Sequence, residues 1–501
     1  MIPVSMSSGG DIQDGVRNSK ENARRFWLML ATLCLVARFA GGQAPLEPST
    51  PAPARVYHVL RTEEDWSFLA DPTARVEWLD RIKYIPWRSG GNSQYLSIGG
   101  EYRQTAESVR GDAWSPADPA WNRFGLERFQ LHFDVHADRR LRLFLQLESG
   151  LEQGRKNGPR VIDGKRLDFL NAFADLGLNG AAHSMVLRVG RQEIQLGSGR
   201  MVAVREGPNV RQSFYGARLS APLGLWRSEW FALRPAADKP GFFDNVPLQT
   251  TSFWGAFATR PWSAGSLNLL DVYYYGLDRK QAVFNRGTGR EQRHTAGARI
   301  ASHDPASTAG RMAILHFDAE AAAQFGSFAG SRIQAWTAAS EFGVILPELP
   351  FTPRLGLRTN VSSGDGGSKQ SLGTFNPLFP IGNYFGILAD TGPGPLNARD
   401  LHPNLRLTLP HRIALDADWL FWWRQSLQDG VYGVPGNLLV SAGKSTARFV
   451  GHRPGMEARW QIDRHAYLQL DYGVFFAGGF PRQSGRTSNL NYGSLWLGYK
   501  F

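Results

Sequence analysis

The segment FQLHFDVHADRRLRLFLQL, residues 129–147, decides the fold of this chain. Apolar Phe129, Leu131, Phe133 and Val135 alternate with polar residues, and after the polar turn 137–140 leucine returns at every second position. Successive side chains of a strand point to opposite faces, so the segment predicts a β-hairpin with one apolar and one polar face. Such a ribbon is typical of a soluble sandwich or of an outer-membrane barrel, whose apolar face meets lipid.

The composition excludes a helical membrane protein and suits a barrel. Mean hydropathy is −0.31, and beyond the N-terminus no run of about 18 uncharged apolar residues occurs. The 55 Gly, 16 Trp, 14 Tyr and 30 Phe residues are typical of many strands, tight turns and aromatic belts. If the chain enters a membrane, it must do so as a barrel.

The N-terminus predicts a secretion signal over residues 1–44. Arg24 and Arg25 precede the apolar run 26–37, and small residues follow at 40–44. The single cysteine, Cys34, lies within this signal, so the exported chain needs no disulfide. Residues 45–94 begin with a proline-rich stretch and lack strand alternation, which predicts a periplasmic N-terminal leader that docks on a barrel of residues 95–501.

About eighteen amphipathic strands are predicted after residue 94. Short connections such as 137–140 and 410–411 alternate with long ones such as 106–123, 278–292 and 362–401. A sandwich has no reason to alternate in this way, whereas a barrel with short periplasmic turns and long outer loops does. The predicted strands lie near 95–105, 124–136, 141–150, 167–178, 185–195, 213–221, 225–234, 250–260, 266–277, 293–301, 311–318, 332–345, 352–361, 402–409, 412–424, 453–461, 466–476 and 490–501.

The last predicted strand supports the same architecture. Leu495, Leu497, Tyr499 and Phe501 share one face, and a terminal aromatic on such a strand resembles the assembly signal of bacterial outer-membrane barrels. In a soluble domain this strand would be an aggregation hazard. We therefore predict an all-β transmembrane antiparallel barrel that contacts the barrel assembly machinery through Phe501.

The charge balance favours an anionic partner. The formal charge is +12, and residues 1–44 hold five basic and three acidic residues, so the rest of the chain keeps 12 − 2 = +10. We find no Lys/Arg cluster with interleaved aromatics, so a nucleic acid is not expected. An anionic membrane surface or an anionic solute remains.

Five segments, taken in order, resemble the alginate-export family of outer-membrane barrels: 61–87, 95–103, 188–219, 362–386 and 400–405. The resemblance implies eighteen strands and an arginine-lined constriction that passes a polyuronate. Arg191 and Arg399 match that selectivity region best, and Arg211 and Arg218 share the segment of Arg191. The family commonly has Asp where Tyr215 stands here, so the resemblance implies one lumenal carboxylate fewer.

Strand alternation adds further lumen candidates. Outward Leu96 and Tyr102 place Glu101 and Arg103 inward. Inward guanidinium groups would attract a carboxylate-bearing solute, although the same groups would also pair with lumenal Asp and Glu. Arg188 is out of phase with Arg191, so either the strand bulges or only one of them points inward. The hairpin and the later strand add the inward residues Arg128, Asp134, Arg142 and Arg188.

The remaining motifs predict no catalysis. The glycine-rich stretch Ser362–Ser368 opens the longest loop, and it is a lid, a cation cradle through Asp365, or a flexible loop. His132 and His136 are about 13 Å apart on one strand, too far to share a metal. No HExxH, P-loop or dinucleotide fingerprint occurs, so we expect neither a cofactor nor an enzyme.

The sequence thus predicts a passive channel in the bacterial outer membrane for an anionic solute, most simply for export of alginate or a related acidic polysaccharide. The alternative is a general or differently selective porin. A barrel phospholipase or protease would need a Ser/His or Asp/His set at the outer rim, and the sequence supplies none convincingly. The expected partners are outer-membrane lipid, lipopolysaccharide and the acidic solute, around a monomeric barrel.

Overall fold

The computed structural model describes residues 55–87, 94–116, 120–178, 185–262, 268–302, 312–382 and 392–501. These residues all belong to one compact unit, Arg55–Phe501. The signal peptide predicted over 1–44 lies outside the described residues. Within the described ranges no helix is long and apolar enough to cross a membrane.

Eighteen antiparallel strands close into a barrel in the described part of the chain, and each corresponds to one predicted stretch. The first strand pairs with the last, with Glu101 opposite Lys500, so the sheet has no free edge. The strands are β1 (Tyr95–Arg110), β2 (Asn122–His136), β3 (Leu141–Gln153), β4 (Lys165–Gly177), β5 (Val186–Gln192), β6 (Phe214–Leu223), β7 (Trp226–Ala237), β8 (Thr251–Pro261), β9 (Leu269–Phe284), β10 (Gly287–Ala301), β11 (Ile314–Phe328), β12 (Ser331–Ile345), β13 (Arg354–Ser362), β14 (Ala398–Leu409), β15 (Ile413–Arg424), β16 (Phe449–Gln461), β17 (Ala466–Ala477) and β18 (Leu490–Lys500).

The hairpin of β2 and β3 has the two faces that its sequence predicts. Phe129 and Leu143 are exposed on the outside, while Arg128 and Gln130 are buried inside. The strands pair in register, with Gln130 opposite Glu148. The prediction of an apolar outer face and a polar inner face is therefore confirmed for this hairpin.

The prediction of a long loop over residues 278–292 is wrong. Strands β9 and β10 continue through it and leave a turn of only two residues, Asn285 and Arg286. Its polar residues are cross-strand partners, since Arg290 pairs with Asp278 at 2.7 Å and Arg279 pairs with Glu291 across the same ladder. Charge in this stretch therefore stabilises strand pairing and does not mark a solvated loop.

The leader residues 55–87 form short turns that pack at the barrel end where β1 begins. They contain helix α1 (Asp80–Lys83) and 3₁₀ turns at Arg61–Glu63, Ser67–Ala70 and Pro72–Ala74. Residues Ile85 and Pro86 pair with the first two residues of β1. Trp66, Leu69, Tyr84 and Tyr95 form a buried cluster that joins the leader to the barrel. No long strand forms there, in agreement with the missing alternation.

Two long loops pair with each other among the buried residues of the barrel. The main-chain N–H of Ala203 donates to Phe379 O, and that of Phe379 donates to Met201 O, both over 2.9 Å. Their apolar side chains pack against inward aromatic residues of β6–β9, so this side of the interior is apolar where the loops lie against it. The members of the cluster include Phe214, Phe231, Phe253, Tyr275, Phe375 and Phe379. A short helix, α2 (Gly479–Gln483), precedes β18.

Candidate channel lining

The inward arginines predicted on β3–β6 form a ladder with carboxylates on neighbouring strands. The guanidinium–carboxylate distances are 2.7 to 2.9 Å. Such pairs neutralise each other, so they shape the wall and add little net field. The pairs are Arg142–Asp134, Arg188–Asp175, Arg191–Asp168 and Arg218–Glu229.

Arg188 and Arg191 both bury their side chains against residues inside the barrel. Between them Gly190 adopts a φ of +136°, and the opposite Gly216 adopts +149°. These backbone angles, which suit glycine, break the regular alternation. Arg191 then donates to Ser213 Oγ over 2.8 Å, while the Tyr215 hydroxyl lies 3.2 Å from its Nη1.

Arg399 does not line the channel, contrary to the sequence prediction. It is exposed between buried Ala398 and Asp400 and shares the outer face with Leu401. Its Nε atom donates to the Gln425 side chain. The alternation of β14 is regular, so the inward positions belong to Asp400 and His402.

Three predicted arginines, Arg103, Arg128 and Arg211, converge on Glu206. This carboxylate belongs to the loop between β5 and β6, which sequence analysis did not single out. Arg103 Nη1 lies 2.8 Å from Glu206 O, Arg211 Nη1 lies 3.4 Å from its carboxylate, and Arg128 also contacts that carboxylate. Partial burial alone raises the pKa of Glu206, but these guanidinium groups outweigh it and hold the pKa below its usual value.

Arg128 and Arg211 each have a second acidic partner. Arg128 pairs with predicted Glu101 at 2.7 Å, and Arg211 pairs with Glu193 at 2.8 Å. Side-chain exposure is 34% for Glu206 but 0 to 1% for the three arginines. Of this group, Glu206 is therefore the member whose side chain is partly exposed, although its Oε2 atom is buried.

The leader binds the inner wall through arginines. Arg142 donates to Thr62 O over 2.9 Å, and Arg211 donates to Val59 O over 3.0 Å. Arg61 donates to the carbonyl oxygens of Gly100 and Phe501. Because these acceptors and donors come from distant parts of the chain, the closed barrel helps to hold the leader in place.

Lys83 of α1 is fully buried beside the inner wall. Its Nζ atom lies 5.3 Å from the Tyr57 ring centroid and 5.0 Å from that of Trp66. No described residue accepts a hydrogen bond from this atom. Burial, helped by the charge of Arg61, lowers the pKa of Lys83 to about 7, against the opposing effects of Glu64 and Asp80.

The glycine-rich segment after β13 has a structural role. Asp365 is buried and pairs with Arg286 at 2.7 Å, and its backbone N–H donates to Asp429. Its carboxylate is thus already neutralised, which does not fit a cation cradle. In the described ranges no group of three His, Cys, Asp or Glu side chains is placed to hold a metal ion.

A group of water-exposed arginines on the inner wall lies on β13 and β14, and sequence analysis missed it. Arg354, Arg358 and Arg406 keep 29, 38 and 52% of their side chains exposed. Arg354 and Arg406 are directly paired residues on the two strands. Strand alternation could have predicted two of them, since outward Leu355 and Leu357 alternate with Arg354 and Arg358 in RLGLR.

A family model named "Alginate export" matches residues 94–493 of this chain. This chain belongs to the alginate export family. The matched range begins just before β1 and ends within β18. The family therefore covers the barrel with its inward loops and includes both arginine groups described above.

Solved structures similar to this alginate export family barrel are outer-membrane porins. A BenF-like porin from Pseudomonas fluorescens Pf-5 superposes with a TM-score of 0.57 at 8% identity, covering 81% of this chain and 98% of the porin. OccK5 (OpdH) and the glucuronate complex of OccK2 (OpdF), both from Pseudomonas aeruginosa, each give 0.53 with the same coverage, at 13 and 12% identity. No curated protein sequence matches significantly.

The shared architecture establishes what kind of molecule this family member is. At these identities the structural likeness shows the fold alone, and the fold is that of an outer-membrane porin. Together with the family match, it places the chain in the bacterial outer membrane as a channel.

Proposed function

We propose that this barrel is a passive channel for an anionic solute, and that the solute is an acidic saccharide such as alginate or a related polyuronate. The observation that carries the proposal is the exposed arginine wall, which consists of Arg354, Arg358 and Arg406. Guanidinium stays protonated at all relevant pH values and matches a carboxylate with paired donors. A uronate presents one such carboxylate on each sugar ring.

The exposed arginine wall is only partly neutralised. Arg358 donates to Glu341 over 2.8 Å, and Arg406 lies 3.9 Å from Asp416. Arg354 also lies 3.7 Å from Glu341, so three guanidinium groups share the carboxylates of Glu341 and Asp416. Several weak, accessible sites suit conduction better than one tight site, because a solute has to leave as well as enter.

The comparisons support this choice of solute without deciding it. The description of the family is alginate export. One porin of similar fold was solved in complex with glucuronate, which is a monomeric sugar acid. The second candidate is a porin for small solutes. It is favoured by the paired inward loops, since the bond between Ala203 and Phe379 holds two chain segments within the buried interior.

Liposome swelling separates the two candidates. Vesicles with the purified barrel would be placed in isosmotic sodium glucuronate, glucose or a trisaccharide of uronate. We expect glucuronate to enter faster than glucose, which has a similar size and no charge, and the oligomer to enter measurably. Equal or faster entry of glucose would refute the anionic solute, and exclusion of the oligomer would favour the small-solute porin.

A further inference from the structure

The Glu206 cluster is a second set of arginines on the inner wall, apart from the exposed arginine wall of β13 and β14. We define it as Glu206 with the charged groups around it. Its cations number four and its carboxylates number four, so its formal sum is 4 − 4 = 0. The members are Arg103, Arg128, Arg211 and Lys500 against Glu101, Glu148, Glu193 and Glu206.

The position of Glu206 differs from that of the other carboxylates. Glu101 and Glu148 are on barrel strands and Glu193 directly follows β5, and all three are buried. Glu206 comes from the inward loop and keeps 34% of its side chain exposed. Its side chain is therefore the partly exposed one, with the Oε2 atom buried beside the guanidinium groups and without a hydrogen-bond donor among the described residues.

We propose that the Glu206 cluster is a binding subsite for one solute carboxylate, and that Glu206 is the internal substitute that an incoming uronate displaces. The identity of the solute rests on the proposed function; the displacement does not. One carboxylate replaces another, so Arg128 and Arg211 keep an acceptor, and the formal sum of the groups around them remains zero once Glu206 has moved away into the accessible interior.

The exchange of one carboxylate for another also explains why the subsite would reject neutral sugars. If Glu206 moved aside for a hydroxyl group, the fully buried Arg128 would keep only Glu101 as a close counter-ion. Removing one partner of a buried ion pair is strongly unfavourable. A uronate restores the pair and a hexose does not, so the cluster distinguishes the two by charge.

The test is Glu206→Gln in planar bilayers, with D-glucuronate and glucose added separately as blockers of the KCl current. Loss of the competing carboxylate leaves the cluster at +1. We expect the glucuronate concentration for half block to fall about tenfold, with no change for glucose. Glu206→Asp keeps the charge but shortens the side chain. Its glucuronate concentration for half block is expected to lie between those of the wild-type protein and Glu206→Gln.

The matched control is Glu229→Gln, which makes the same charge change at the partner of Arg218, a residue with 21% of its side chain exposed. The proposal is overturned if both variants gain equally in apparent affinity for glucuronate, or if Glu206→Gln gains none. The double variant Glu206→Gln/Arg128→Gln is expected to lose the gain, and a retained gain would also overturn it. Failure of the proposed function can be told apart from failure of this proposal. In that case the wild-type barrel would exclude glucuronate, whatever the variants do.

Discussion

The guanidinium of Arg61 donates a hydrogen bond over 2.9 Å to the carbonyl oxygen of Phe501. A second bond of 2.8 Å reaches Gly100 O, and Gly100 and Phe501 are themselves joined by two main-chain hydrogen bonds. Arg61 therefore binds the two sides of the seam where the first and last strands meet. The leader thus helps to close the barrel, and we call these two hydrogen bonds of Arg61 the clasp.

Replacing Arg61 with alanine tests this clasp. The change removes both bonds and takes the nearest cation, at 2.5 Å, from buried Glu64, which costs about 3–5 kcal/mol for a buried pair. We expect the barrel to lose its compact electrophoretic form at a lower temperature and residues 55–87 to become cleavable by added protease. Arg81→Ala is the control, because Arg81 is exposed on helix α1 of the same leader. Equal behaviour of the two variants would contradict the clasp.

Lys83 predicts a pH-dependent stability. Its pKa is about 7 in the docked leader and about 10.5 when exposed, so the docked form has fewer protons and loses stability as pH falls from about 10.5 to 7. Lys83→Met should therefore stabilise the barrel by a few kcal/mol at pH 7, and by progressively less as the pH rises toward 10. Thermal unfolding of both proteins over this range measures the difference. A difference that is independent of pH would contradict a neutral Lys83.

Two arginines of β14 give a matched pair for selectivity. Arg406 points inward and Arg399 points outward on the same strand. Arg406→Gln is expected to lower the ratio of anion to cation permeability by about twofold, because a charge is lost from the water-exposed wall. Arg399→Gln should leave the ratio unchanged. Reversal potentials in a KCl gradient measure both, and an equal shift would place the conducting path elsewhere.

Gly190 is expected to tolerate no side chain. Its φ is +136°, and a Cβ atom there would lie 2.3 Å from Ala172 O. Gly190→Ala should destabilise the barrel by about 1–3 kcal/mol and misplace Arg191. The fall in unfolding temperature measures the cost. Gly224→Ala, in a turn with open space around the added atom but also at positive φ, is the control, and an equal fall would show that backbone strain alone is responsible.

Much of the wall could be predicted because strand alternation is local. The faces of Phe129 and Arg128 follow from their positions in one hairpin, and so does the pairing of Arg142 with Asp134. Arg358 was equally predictable from RLGLR. Arg399 was assigned by resemblance to a motif, and its own strand phase, set by Leu401, places it outside.

The Glu206 cluster could not be predicted in the same way. Glu206 lies in a loop without periodicity and meets Arg103 from 103 positions away in the chain. Its role depends on how the loop enters the barrel, which no local pattern encodes. The loop predicted over 278–292 failed for a related reason, since the charges of Asp278 and Arg290 are explained only by their cross-strand pairing.

The most direct test of the central claim is the reversal potential of wild-type barrel in a planar bilayer under a tenfold KCl gradient, followed by addition of oligouronate. The exposed arginine wall predicts preference for Cl⁻ over K⁺ and a concentration-dependent block by the oligouronate. Preference for K⁺ together with no block would contradict an anion channel, while the fold and the family of the chain would stand.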